Sequence, residues 1–381
     1  MPVGSTGRLA WYALVALAIV LVVVVAGLLS VVFVPGLLSG VFAGEASARP
    51  PQYSPDGRIA FLRTSADGKQ RDLYVVNPDG TYQQRITSGI LVEGGLAWSP
   101  DGRYLLAQAS VQGATRVVRF AIGPDNRPTE SVQLTADVKG DSVLPVWSPD
   151  GTRIAFQSKG DGDNYQVFLM DRDGNHKVRL SDGKGYAGWP VWSPDGRLVA
   201  YVQGDKPEAG TPKEIYVVPV DGVTPRKLTS LGKDLVRPLW SPDGRYILYT
   251  ENQGDTAAIM VMNADGTGSR ELAKAGRGVS PQISPAGDRV VYYAVNPPQP
   301  GSDIFVVPLA GGTPVNLTTE SSDDYAPTWS PRGDRLAWAS SQGGEFRIVV
   351  ASADGTGVKV ISSGPGSDSQ PTWGLPVAPG K

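Results

Sequence analysis

One histidine, no cysteine and 37 acidic residues bound the chemistry open to this 381-residue chain. A Ser-His-Asp relay needs histidine beside its nucleophile, and His176 sits instead in a turn, Asp173-Gly174-Asn175-His176. A metal centre built from several histidines or thiolates is not available, and no metal or cofactor is expected. Asp161-Gly162-Asp163 and Asp171-Arg172-Asp173 carry oxygen ligands of the kind calcium takes, but lack the full loop spacing. They read as turn chemistry. Carboxylate catalysis is what remains. Paired acids hydrolyse glycosides, and Asp323-Asp324, Asp234 and Asp141 are the candidates. Recognition is the competing use of the same loops. Tyr186 and Trp189 lie in and beside a Gly-rich stretch, residues 183–188, next to Lys184. With Arg237, Asp234, Arg277, Asp324, Tyr325 and Asp141 they form a candidate partner-binding rim, since Tyr, Trp and Arg are favoured interface anchors.

These residues hang on a repeating frame. An aromatic or aliphatic residue followed by Ser-Pro-Asp-Gly, or a near copy, occurs seven times, with serines at 54, 99, 148, 193, 241, 284 and 330. A period in the forties with strand-like content is the signature of propeller blades. In repeat 4, Pro190-Val191-Trp192 reads as a strand and Ser193-Pro194-Asp195-Gly196 as a tight turn. Leu198-Val199-Ala200-Tyr201 and Ile215-Tyr216-Val217-Val218 are further strands, Val220-Asp221-Gly222 is a hairpin, and Lys227-Leu228-Thr229 is a short fourth strand. The third strands are apolar at consecutive positions, as strands covered on both faces are. The expectation is an all-β fold, a seven-bladed β-propeller of four-stranded antiparallel blades. Repeat 2, with Arg116-Val117-Val118-Arg119-Phe120 and Pro124-Asp125-Asn126, departs most from the pattern.

Pro-x-Trp-Ser-Pro-Asp-Gly, then Ile154-Ala155-Phe156, Ile215-Tyr216-Val217-Val218, Asp-Gly and Leu-Thr resembles the WD-like repeat of the TolB-like β-propeller family. The resemblance covers about residues 50–375 and implies the fold. An eighth strand, Gln370-Pro371-Thr372-Trp373, copies Ala326-Pro327-Thr328-Trp329 with no blade behind it. It and Pro51-Gln52-Tyr53 compete to complete repeat 1.

In an up-and-down meander the Ser-Pro-Asp-Gly turns and Asp-Gly hairpins share one face. The longer, irregular loops share the other, which reads as the recognition surface. The aromatic slot of Trp98, Trp147, Trp192, Trp240 and Trp329 reads as core.

Residues 9–44 carry no charge, and 11–34 are long and apolar enough for a membrane-spanning helix. Arg8 ahead of it favours a cytoplasmic N-terminus. The run exceeds a signal peptide's apolar region, so an uncleaved anchor is expected, although Ala46-Ser47-Ala48 resembles a cleavage site. The organisation expected is a stub (1–10), a transmembrane helix (11–34), a linker (35–49), the propeller (50–375) and a tail (376–381). A net charge of -2 gives no basic footprint for nucleic acid. The function expected is a membrane-anchored, extracytoplasmic, non-catalytic propeller. It would bind a protein, peptide or cell-envelope partner through the loop-rich face. The alternative is a carbohydrate-active enzyme using the carboxylates.

Overall fold

The computed structural model describes residues 53–377, except 223, 277–278, 296–300 and 320–321, and the backbone of two short N-terminal strands. The chain divides into two units, Met1–Pro50 and Pro51–Lys381. In the first, Val23–Val25 and Leu28–Ser30 pair as antiparallel strands. Those six residues are therefore not in the expected helix over 11–34, whose remainder lies outside the described residues. β-Branched valines favour extended backbone, and it is lipid that makes a helix obligatory by denying the backbone water. No helix among the described residues is long and apolar enough to cross a membrane.

The second unit is all strand and turn. Its described residues form five four-stranded sheets and one of eight. The eight-stranded sheet is the meanders of repeats 4 and 5 joined by one parallel bridge, Lys213 to Asp234. In repeat 4 the strands are Tyr186–Trp192, Leu198–Gly204, Lys213–Pro219 and Arg226–Lys227. The middle strands are covered on both faces: Val199, Ala200, Tyr201 and Val202 are each 0% exposed. Apolar clusters form between consecutive repeats, so each sheet is buried by its neighbours.

Three recurring devices explain the repeated residues. In the Ser-Pro-Asp-Gly turns of repeats 2 to 5 the serine hydroxyl donates to the aspartate, as Ser193 does to Asp195 at 2.6 Å. The same oxygen accepts the amide five residues on, Leu198, at 2.9 Å. Repeats 6 and 7 read Ser-Pro-Ala-Gly-Asp and Ser-Pro-Arg-Gly-Asp, and the displaced aspartates Asp288 and Asp334 take over the role. The Ser241 hydroxyl, with the Arg245 amide and side chain, draws the Asp243 carboxyl down to about 2. These acids are committed acceptors. The turn glycine is required where the chain crosses close by: Gly102 has φ +68°, and a Cβ there would strike the Leu375 carbonyl.

The second device is a hydroxyl at the end of the fourth strand in six of the seven repeats. Thr229 Oγ1 accepts the Ile215 amide at 2.9 Å, and Thr87, Thr135, Ser181, Thr318 and Ser362 repeat the bond in their own sheets. Repeat 5 has Ala273 instead, and its fourth strand continues to Ala275.

The third device is a tryptophan belt between repeats. Trp147 Nε1 donates to the Ala97 carbonyl at 3.1 Å, Trp192 Nε1 to Val146 at 3.2 Å and Trp98 Nε1 to Thr372 at 3.2 Å. Each indole reaches the residue just before the same slot in the preceding innermost strand. The first residue of the second strand stacks on the next tryptophan: Arg58 on Trp98, Arg153 on Trp192, Arg289 on Trp329 and Arg335 on Trp373. Trp147, Trp192 and Trp329 are buried as expected, whereas Trp98 and Trp240 are half-buried.

The two candidates for completing repeat 1 are resolved by pairing. Ser367–Gly374 pairs with Arg58–Thr64, giving that sheet its innermost strand from the C-terminal end. Arg63 chelates Asp368 across this junction at 2.6 and 2.8 Å, with both side chains buried. Repeat 2 carries two register shifts in its innermost strand. Repeat 6 departs further than its sequence suggests, its innermost strand being only Gln282–Ile283.

Candidate functional site

The innermost strands of repeats 2 to 6 together wall one cavity, the channel, and most innermost strands break register at one place. Shifts fall between Val143 and Val146, Gly188 and Val191, Val236 and Leu239, and Tyr325 and Thr328. Inside each bulge one residue takes left-handed backbone: Leu144 (φ 50°), Trp189 (57°), Arg237 (55°) and Ala326 (53°), with Gln370 (51°) and Gly95 (61°) at the same station. All stand three residues before the aromatic slot. For non-glycine residues this conformation is strained, and five of the six precede proline, which disfavours helical backbone further. A bulge re-aims side chains out of the ladder, and strain of this kind concentrates at functional sites.

Neighbouring sheets hold two of these bulges in place. Gln108 Oε1 accepts the Leu144 amide at 3.0 Å, and Gln157 Oε1 accepts the Trp189 amide at 3.3 Å. The Arg237 guanidinium lies 4.7 Å from the centre of the Trp189 ring and donates to Ser280 Oγ at 3.1 Å. Burial pulls its pKa below the ordinary arginine value. Trp189, Arg237 and Ser280 line a cavity of about 460 Å³ with Pro190, Pro238 and Pro281. An aromatic arc continues around the face, Tyr293 edge-on to Tyr325 at 6.4 Å and Tyr325 edge-on to Phe346 at 4.9 Å.

Comparison with known proteins bears on this architecture. A family model for the TolB beta propeller domain matches residues 125–301. The repeats and the fold of the domain are those of a TolB-like β-propeller in the matched span. The Tol-Pal system protein TolB of Francisella tularensis subsp. mediasiatica is 28% identical over 244 residues, 62% of this chain and 54% of that protein. The TolB of Hydrogenovibrio crunogenus is 32% identical over 95 residues, 25% of this chain and 21% of that protein. This chain thus spans about half or less of the length of these relatives. Crystallised TolB from Acinetobacter baumannii superposes with a TM-score of 0.51 at 19% identity, covering 83% of this chain and 66% of that one. A puromycin hydrolase gives 0.63 at 15% identity, covering 82% and 53%. These structural likenesses concern the fold.

The TolB-like fold sorts the expected rim residues into two groups. Trp189 and Arg237 line the cavity at the channel mouth, Tyr325 stands in the aromatic arc, all three remain half-buried, and Lys184 is exposed. Asp141 is half-buried, accepting the Thr115 amide at 3.0 Å with Lys159 3.5 Å away. Three others are corrected to the interior. Tyr186 is 4% exposed in a core cluster, and burial first of all pushes its phenol up to about 12. Asp234 is bonded to Lys213 Nζ at 2.7 Å, the Gly210 amide at 2.7 Å and Asn252 Nδ2 at 2.8 Å. Burial alone would raise its carboxyl, but these donors together hold it below the usual range. Asp324 is 1% exposed and accepts Trp338 Nε1 and the Ser322 hydroxyl, both at 3.0 Å. Two of the carboxylates considered for hydrolysis are therefore occupied as structural acceptors. Arg277 lies outside the described residues. Sequence reading missed Tyr293, Phe346 and the bulge. The x-Pro-x-Trp spacing was the available signal, but proline alone announces extended backbone before it.

Proposed function

We propose that this chain is a membrane-tethered, extracytoplasmic, seven-bladed propeller that binds a protein or peptide partner of the cell envelope at its loop-rich channel mouth, with no catalysis of its own. The observation that carries the reading is the strained bulge station holding Trp189 against Arg237 beside the Tyr293–Tyr325–Phe346 arc. Half-exposed aromatics and arginine on rigid strands suit recognition. The seven meanders support the blade count. The uncharged run 9–44 supports the tether, and relatives named as Tol-Pal system proteins support the envelope setting.

A photo-crosslinking residue at Tyr325 is expected to capture a discrete partner in cells, whereas one at Asp221, in a hairpin on the turn face, is not. Equal adducts from the two faces would reject the assignment of the binding face. The absence of cysteine makes topology directly testable. A Lys69→Cys chain is expected to react with a membrane-impermeant maleimide in spheroplasts. Labelling only after lysis would place the propeller in the cytoplasm.

A further inference from the structure

We propose that Arg237 receives the side-chain carboxylate of an Asp or Glu in an extended segment of the partner, with the segment's neighbouring apolar residue resting on Trp189 and the prolines of the channel mouth. This rests on the binding reading above and gives it a chemistry. The buried arginines of the propeller, among the described residues, are each held by two or more acceptors. Arg63 chelates Asp368, Arg119 reaches Asp173, and Arg58 donates to the carbonyls of Gly102, Ile122 and Gly123. Arg237 has one hydroxyl, Ser280, and a ring face, and no carboxylate within ion-pair reach among the described residues. Among the described residues, no acidic residue lines the cavity it faces.

The same wall carries a second donor in surplus. Trp240 Nε1 is buried without an acceptor, whereas Trp98, Trp147, Trp192 and Trp329 each donate to a carbonyl of a neighbouring repeat. A cavity with a partly desolvated cation and proline walls fits an anion with an apolar neighbour; a cationic ligand would meet Arg237 uncompensated. The cavities at the two channel ends share Ala97, Val146 and Val191 in their walls. The two ends are thus walled by the same strands, which suits a segment lying along the channel and presenting a side chain.

The test selects random heptapeptide libraries on the full chain in detergent micelles. One library is fused at both ends and the other presents a free carboxyl terminus. The fused library is expected to yield sequences with Asp or Glu beside an aromatic or aliphatic residue. Resynthesised peptides should bind at least tenfold more weakly to Arg237→Gln, read by fluorescence anisotropy. Replacing the peptide's acid by its amide should cause a similar loss on the unaltered protein, and little further loss on Arg237→Gln. The amide exchange leaves the protein's fold untouched, so a destabilised variant does not blunt the result. Selected peptides without an acid, or indifferent to the exchange, would overturn the carboxylate site while leaving the binding reading intact. Enrichment confined to the free-carboxyl library would overturn the side-chain assignment. No enrichment from either library would remove the site and the binding reading together.

Discussion

A chain ending at Gly366 is expected to aggregate rather than form a closed ring. The missing strand, Ser367–Gly374, is the innermost strand of repeat 1 and pairs along Arg58–Thr64. Without it that ladder has an open apolar edge of the kind that recruits other chains. The cluster joining repeats 7 and 1, with Ile59, Phe61, Ala339 and Ile361, loses Trp373. Arg63 is left buried without Asp368. Asp368→Ala alone isolates this last effect and should cost about 3–5 kcal/mol, the usual penalty for stranding one member of a buried pair. Sedimentation and thermal unfolding followed by circular dichroism read both variants. A truncated chain that stays soluble and melts cooperatively beside the full chain would show that the C-terminal strand does not close the sheet.

Lys213→Met should destabilise the propeller by about 3–5 kcal/mol, while Lys213→Met with Asp234→Leu should recover most of that loss. Lys213 and Asp234 are 2% and 3% exposed and 2.7 Å apart, and they span the single parallel bridge between repeats 4 and 5. Removing the lysine leaves a carboxylate facing only the Gly210 amide and Asn252. Removing both charges ends the desolvation penalty for each. The pair also predicts a pH signature. The Asp234 carboxyl is held below its ordinary value in the folded state. Its stabilisation is therefore complete above the unfolded value of about 3.9 and is lost as pH falls through the lower folded value. Denaturant unfolding from pH 7 downward should show a shallower acid loss for the double variant than for the parent. A double variant as unstable as the single one would mean that the pair's bonds to the loop, not its charges, hold the two repeats together.

The legible part of this protein was what repeats. The Ser-Pro-Asp-Gly period marked the meanders, the consecutive apolar runs marked strands covered on both faces, and the tryptophan slot was rightly placed inward at Trp147, Trp192 and Trp329. The candidate site was legible in part. Trp189, Arg237 and Tyr325 were found by residue type, but type did not separate them from Tyr186, Asp234 and Asp324, which share the same loops and lie inside. An aspartate at the start of an innermost strand looks alike in sequence whether it faces solvent or Lys213, because the lysine is 21 residues away and in the preceding repeat.

The sequence by itself determined the all-β class, the period and the division into a uniform turn face and an irregular loop face. Turn chemistry and strand patterning are local and are written within a few residues. Only the tertiary structure decided which strand completes repeat 1, which acids are buried, and that the residue three before the tryptophan turns into left-handed backbone at six stations. Those outcomes depend on contacts between neighbouring repeats: Gln157 on the Trp189 amide, Lys213 on Asp234, and Asp368 on Arg63 across 305 residues. The loop face was expected to bind from its irregularity. The channel mouth within it was set by how each sheet packs against the next.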